Sequence, residues 1–282
     1  MIEKISILAA DIDNTLTAKG GALPEATCKA FEILHRNGVK LGLATGRELD
    51  EKLKNQWAEW NLGYDCDFIV GMNGGNVYDC KQDKLWTMEP LSCEEMKEII
   101  EWMLPLIDKY TLSVNCEGLG NHNALNIVGE LAEAERRHGF FFDDCTGDID
   151  KFCEKPTYKF LFRNCGQYEQ EVRERFLSKF SDRYQIVGTY PGTVEVIDKN
   201  INKGFGVKMY ADWNNIPMSE VITFGDNEND NPMLIDSGWG VCLENGSQGT
   251  KDISDDITKE DCESGGVGHY LLDNYITPKG LK

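Results

Sequence analysis

Short apolar runs alternate with stretches of helical spacing at both ends of the chain, and this alternation restricts the fold more than any other feature. "KISILAADID" and "VKLGLATGR" read as strands. Between them, "PEATCKAFEILHRNG" puts Ala26, Ala30, Ile33 and Leu34 on one helical face, with Gly38 as its stop. "ELDEKLKNQWAEWNL" reads as a helix and "CDFIVGMNGG" as a strand running into glycines. The rhythm returns after Lys199, with "NKGFGVKMYADWN" and "NDNPMLIDSG" as helices and "VITFGD" and "WGVCLE" as strands. Such alternation builds an α/β fold around a Rossmann-like parallel sheet.

Near residue 84 the pattern changes. "CEEMKEIIEWMLPLIDKY", "GELAEAERRHG" and "YEQEVRERFLSKF" read as helices. "YTLSVNCEG" and "NALNIVGE" read as neighbouring strands, "TYKFLFRN" as another, and "YQIVGTYPGTVEVID" as a hairpin. Helices beside neighbouring strands describe an α+β unit with an antiparallel sheet. A chain of 282 residues has room for two domains. The organisation expected is therefore a core of residues 1–83 and 200–282 with an inserted α+β domain at 84–199.

The formal net charge of −19 argues against nucleic acid or an anionic membrane as partner. No stretch approaches the roughly 18 apolar residues of a membrane helix. Ten scattered cysteines form no C-x-x-C pair and follow no secretory signal, so they read as reduced thiols of a cytoplasmic protein. His35, His122, His138 and His269 lack metal-ligand spacing and read as surface or packing residues.

Four of the expected strands end in polar or glycine signatures: Asp11/Asp13, Thr45-Gly46-Arg47, Asn73-Gly74-Gly75 and Gly225-Asp226-Asn227. Lys203 opens the helix that restarts the core. Taken singly, each also reads as a turn, a helix cap or a surface lysine. Their joint occurrence at strand ends points to one ligand crevice, because open parallel sheets bind ligands there. Two aspartates closing an apolar strand are costly to bury without compensating charge.

These residues resemble the haloacid dehalogenase superfamily, and within it the Cof-type phosphatases with a large inserted cap of the C2B type. "DIDNTLT" is similar to the first motif, "LATGR" to the second, "NKG" to the lysine motif and "GDNENDNPML" to the fourth. "MNGG", "VEVIDKNINKG" and "ESGGVGHYL" extend the resemblance over nearly the whole chain. Asn14 departs from the usual glycine, and asparagine also tolerates left-handed backbone.

The resemblance implies a Mg²⁺-dependent phosphatase of small phosphorylated metabolites, sugar phosphates first, working through an aspartyl-phosphate. Asp11 is then the nucleophile and Asp13 the general acid and base. Asp11, the Asp13 carbonyl and Asp226 hold the metal, with Asp230 behind them. Thr45, Gly46, Lys203 and Asn229 bind the phosphoryl group. Substrate choice falls to the insert, where the loop "CEGLGNHN" offers Asn121, His122 and Asn123 to substrate hydroxyls. A phosphomutase shares these motifs, and a metabolite sensor shares the scaffold. Retention of both Asp11 and Asp13 favours catalysis over sensing. The physiological substrate and the oligomeric state are not written in these motifs.

Overall fold

The first expected strand lies inside an eight-stranded sheet, in a computed structural model that describes residues 2–18, 21–127 and 141–282. Two compact units emerge, Met1–Thr87 with Ile201–Lys282, and Met88–Asn200. The first unit opens with β1 (Ile7–Ala10), β2 (Lys40–Ala44), β3 (Phe68–Gly71), β4 (Asn76–Asp79) and β5 (Lys84–Thr87). The second contributes β6 (Ser113–Glu117), β7 (Asn123–Leu125), β8 (Asp143–Asp144), β9 (Lys159–Arg163), β10 (Tyr184–Tyr190) and β11 (Thr193–Asp198). The first unit resumes with β12 (Val221–Gly225), β13 (Trp239–Cys242) and β14 (Asp256–Ile257).

The first sheet runs β14-β13-β12-β1-β2-β3-β4-β5 and is parallel from β14 to β3. Its central strand β1 is apolar and buried at every position, as a strand covered on both faces must be. The helix Glu25–Arg36 buries Thr27, Ala30, Phe31 and Leu34, a face turned from the one expected through Ala26 and Ile33. Phe31 accounts for the turn, because its ring stacks on Trp57 at 5.8 Å.

β4 and β5 close the sheet as an antiparallel hairpin. Residues 84–87, expected with the insert, therefore pair within the first sheet. Lys84 and Leu85 are exposed on that edge strand, so no apolar run announces it.

The second sheet runs β10-β11-β9-β6-β7-β8, antiparallel except between β7 and β8. Val114, Cys116, Phe160, Phe162, Val194 and Val196 point from one face into a cluster with Met96, Ile99, Met103, Val172 and Phe176. The last five belong to helices Cys93–Tyr110 and Glu169–Phe180. The first of these starts at a reciprocal cap between Ser92 and Glu95. Period-two alternation sends Asn115, Glu117, Lys159, Leu161, Arg163 and Glu195 to the other face. The helix expected over 129–139, and His138 with it, lies outside the described residues. No helix among the described residues is long and apolar enough to cross a membrane.

Candidate active site

Backbone hydrogen bonds bring the strand-end signatures of the first unit together. The Asp11 N–H donates to the Phe224 carbonyl at 3.0 Å, joining the end of β1 to that of β12. The Thr45 N–H donates to Val70 of β3 at 2.8 Å, joining β2 to β3. Beyond β3, Met72 and Asn73 both adopt left-handed backbone, with φ of 47° and 52°. That turn aims the Asn73 N–H at the Thr45 carbonyl (3.0 Å) and the Met72 N–H at the Arg47 carbonyl (2.8 Å). Gly74 follows at φ +103°, where a Cβ would stand 2.1 Å from the Asn202 carbonyl. Glycine thus lets this turn press against the start of the helix Lys203–Trp213.

Lys203 is fully buried, and its Nζ donates to Asp11 at 2.7 Å and to Asp230 at 2.6 Å. The second Asp230 oxygen accepts the N–H groups of Asp226 and Asn227 at 2.9 and 3.0 Å. Asp230 therefore fixes both the lysine and the backbone that carries Asp226. Thr15 donates its hydroxyl to Asp226 at 3.0 Å. Asn14, just before it, is left-handed at φ 63°, a conformation that asparagine tolerates.

Asp11, Asp226 and Asp230 each offer an oxygen within 4.8 Å of the others. Among the described residues, Lys203 is the cation paired with this cluster of three carboxylates, through Asp11 and Asp230, and Asp226 pairs with none. Burial pushes the Asp226 carboxyl up to about 8, with Asp230 and Asp11 adding repulsion. Burial likewise raises Asp11 to about 7, against the pull of Lys203. For Lys203 burial acts downward, but Asp11 and Asp230 outweigh it and hold the ammonium charged. Oxygen donors with excess negative charge fit a hard divalent cation.

A pH-dependent response follows. Asp11 and Asp226 carry folded pKa values above the unfolded carboxylate value, so in the metal-free chain they favour folding fully at low pH. That contribution fades as pH rises through about 7 and 8. A divalent cation held by these carboxylates would take the place of those protons. Such a cation is therefore expected to raise Tm more at about pH 8.5 than at about pH 5.5, and Asp226→Asn to lose most of the difference. Equal shifts in a thermal melt would place cation binding elsewhere.

Beside the cluster, Thr45 Oγ1 accepts the Arg47 N–H at 3.2 Å, which leaves its hydroxyl proton for another acceptor. Gly46 lies against the Asn73 amide, whose Oδ1 would be 3.2 Å from an added Cβ. Asn229 Nδ2 donates to Asn73 Oδ1 at 3.0 Å. Asp13 is bound by an arginine: Arg47 Nε and Nη2 donate to its two oxygens at 2.9 and 2.6 Å. Thr15, Arg47 and Asn73 thus join the site as supports, in roles that the motif strings alone did not assign.

In the second unit, Asn121 and Asn123 are buried. Asn121 Nδ2 donates to the Lys155 carbonyl at 2.7 Å, and its Oδ1 accepts the Asn123 N–H at 3.2 Å. Asn123 Nδ2 donates to the carbonyls of Lys151 and Phe152 at 2.9 and 3.0 Å. This corrects the expectation that these amides face substrate hydroxyls, because they bond the loop to neighbouring backbone. His122 alone of the three is exposed. Sequence reading also missed a polar group on the sheet face away from the helices. There Asn115 donates to Glu117 at 2.8 Å, Arg163 donates to Asn115 at 2.7 Å, and the Lys159 ammonium stands 3.8 Å from Glu117. Its alternating pattern was visible, but strand pairing had to bring β6 and β9 side by side.

His35 stacks on Tyr64 at 3.9 Å, and His269 is exposed. All ten cysteines are free.

A family model for haloacid dehalogenase-like hydrolases matches residues 8–271. The 5-amino-6-(5-phospho-D-ribitylamino)uracil phosphatase YitU of Bacillus subtilis (strain 168) is 33% identical, over 98% of this chain and 99% of its own. A crystal structure from Streptococcus mutans UA159 superposes with TM-score 0.81 at 17% identity, covering 97% of this chain and all of its own. The subclass IIB sugar phosphatase BT4131 superposes with TM-score 0.76 at 19% identity, covering 98% and 99% of the two chains.

Proposed function

The chain belongs to the haloacid dehalogenase-like hydrolases, and from that premise we propose how this phosphoric monoester hydrolase works and on what. The observation that carries the reading is Asp11, held by buried Lys203 at the edge of a carboxylate cluster, while Asp13 is held by Arg47. In this reading one carboxylate attacks and the other moves protons.

In the first half-reaction an Asp11 oxygen attacks phosphorus and the bond to the leaving oxygen breaks. Asp13 delivers a proton to that oxygen. In the second, Asp13 takes a proton from a water that attacks the aspartyl-phosphate, which returns Asp11 and releases inorganic phosphate. Lys203, the Thr45 hydroxyl, the Gly46 N–H and the second amide hydrogen of Asn229 bind the phosphoryl oxygens. Donors already in place for such charge contribute about 3 kcal/mol each. Asp11, the Asp13 carbonyl and Asp226 would hold Mg²⁺, with Asp230 behind them. When bound, the ion neutralises charge between nucleophile and phosphate.

We place the substrate among phosphate monoesters of polyhydroxylated metabolites such as sugars and sugar alcohols. YitU acts on a phosphoribityl compound and BT4131 is a sugar phosphatase, so the readings of two relatives coincide. We assign the choice of leaving group to the second unit, with exposed His122 as the candidate. Asn121 and Asn123 shape the loop that carries His122.

Phosphate release from a panel of sugar and sugar-alcohol phosphates tests this. Turnover is expected with Mg²⁺, none in excess chelator, and recovery when Mg²⁺ is restored. Full turnover in chelator, with no metal by elemental analysis, would remove the cation from the reaction. No release from any member of the panel would overturn the substrate class.

A further inference from the structure

We infer that Arg47 is the positioning residue for Asp13, and that it separates the two carboxylates of the D-x-D pair into different tasks. This rests on the reading of Asp13 as acid and base.

Asp11 and Asp13 are two residues apart at the end of one strand, inside a strongly acidic chain. Nothing in their sequence makes one bind the lysine and the other the arginine. The difference lies in their partners. Asp11 shares Lys203 with Asp230, whereas both Asp13 oxygens are gripped by one guanidinium. Two parallel bonds fix the plane of a carboxylate as well as its position. The Asp13 and Arg47 side chains are 16% and 30% exposed, so the pair is not an ordinary surface contact.

Arg47 can position Asp13 because it is itself held independently of that residue. Its N–H donates to Thr45 Oγ1, its carbonyl accepts the Met72 N–H, and its Nη1 donates to Gln56 in the helix Glu51–Glu59 at 3.0 Å. One tripeptide, Thr45-Gly46-Arg47, thus carries a phosphoryl donor at one end and the grip on Asp13 at the other. The left-handed turn at Met72 and Asn73 braces this tripeptide at both ends. The loop therefore sets the spacing between the phosphoryl group and the acid that meets its leaving oxygen. A displacement of about 1 Å in such a group is enough to cost about a hundredfold in rate.

Arg47→Ala removes the grip. Arg47→Lys keeps the charge but offers a single ammonium in place of the fork. Both, with Asp13→Asn and the Arg47→Ala/Asp13→Asn double variant, are assayed with Mg²⁺ on a sugar phosphate and on nitrophenyl phosphate, beside thermal melts that check folding. On the sugar phosphate, Arg47→Ala is expected to lower kcat about a hundredfold with little change in KM. The first-turnover burst of nitrophenolate should fall far less, since that group leaves without a proton. Arg47→Lys should recover only a small part. In the Asp13→Asn background, Arg47→Ala should cost nothing further, because its effect passes through Asp13.

Equal losses on the two substrates, or losses that multiply in the double variant, would overturn the positioning role. So would selectivity in Asp13→Asn without any in Arg47→Ala. Absence of selectivity in Asp13→Asn itself would instead overturn the reading of Asp13, and the role of Arg47 with it.

Discussion

Lys203→Met is expected to remove nearly all turnover and to destabilise the chain by about 3–5 kcal/mol, the cost of breaking a buried charge pair from one side. Methionine matches the length of lysine and suits a fully buried site, so packing survives and the missing term is the charge. Two carboxylates, Asp11 and Asp230, then lie buried without their cation. Asp11 can escape by holding a proton, which spares the fold but ends its use as a nucleophile. Its carboxyl is already raised to about 7 by burial, and Lys203 is the group pulling it down. Without the lysine it rises further, so the variant should be closest to wild type in acid and weaken as pH increases. Denaturant unfolding at about pH 5 and about pH 8 reads that slope. Adding Asp230→Asn should return part of the stability and none of the turnover, which separates support from chemistry. Wild-type rates with a wild-type melt would remove Lys203 from the site.

What the sequence disclosed and what it withheld divide along a physical line. Asp11, Thr45 and Asp226 were legible because each follows an apolar strand directly, and Asn73 because it comes one residue later, and the carboxyl ends of parallel strands share one edge. Lys203 was legible as the start of a helix. By contrast, the Arg47–Asp13 grip joins residues 34 positions apart and depends on where the loops after β1 and β2 come to rest. The β4–β5 hairpin stayed hidden because its outer strand is exposed and carries no apolar pattern. Asn121 and Asn123 misled for a related reason. An asparagine just after a glycine-rich turn has the same signature whether its amide faces a ligand or bonds a backbone carbonyl, and burial decides which.

Asp11→Asn and Asp13→Asn are expected to fail differently, and the difference tests the whole assignment. Asp11→Asn should abolish phosphoryl transfer from every substrate, because an amide oxygen is a poor nucleophile and no aspartyl-phosphate forms. Asp13→Asn keeps the nucleophile and the buried Lys203 beside it. What it loses is proton transfer. A nitrophenolate is a weak base and departs without a proton, so nitrophenyl phosphate should still phosphorylate Asp11. A sugar alkoxide is far more basic and needs the acid, a contribution of about 10²–10⁴-fold. The second half-reaction needs Asp13 as base whichever group has left. Rapid mixing of Asp13→Asn with nitrophenyl phosphate should therefore give a burst of nitrophenolate approaching one equivalent per site, followed by a stall as phosphoenzyme. The same variant should give almost no burst of sugar. Acid-quenched samples from the stall should carry phosphate bound to protein, labile to hydroxylamine as an acyl phosphate is. Equal first-turnover losses on the two substrates would show that Asp13 is not the acid. Its place beside Arg47 would then serve only to shape the loop that presents its backbone carbonyl.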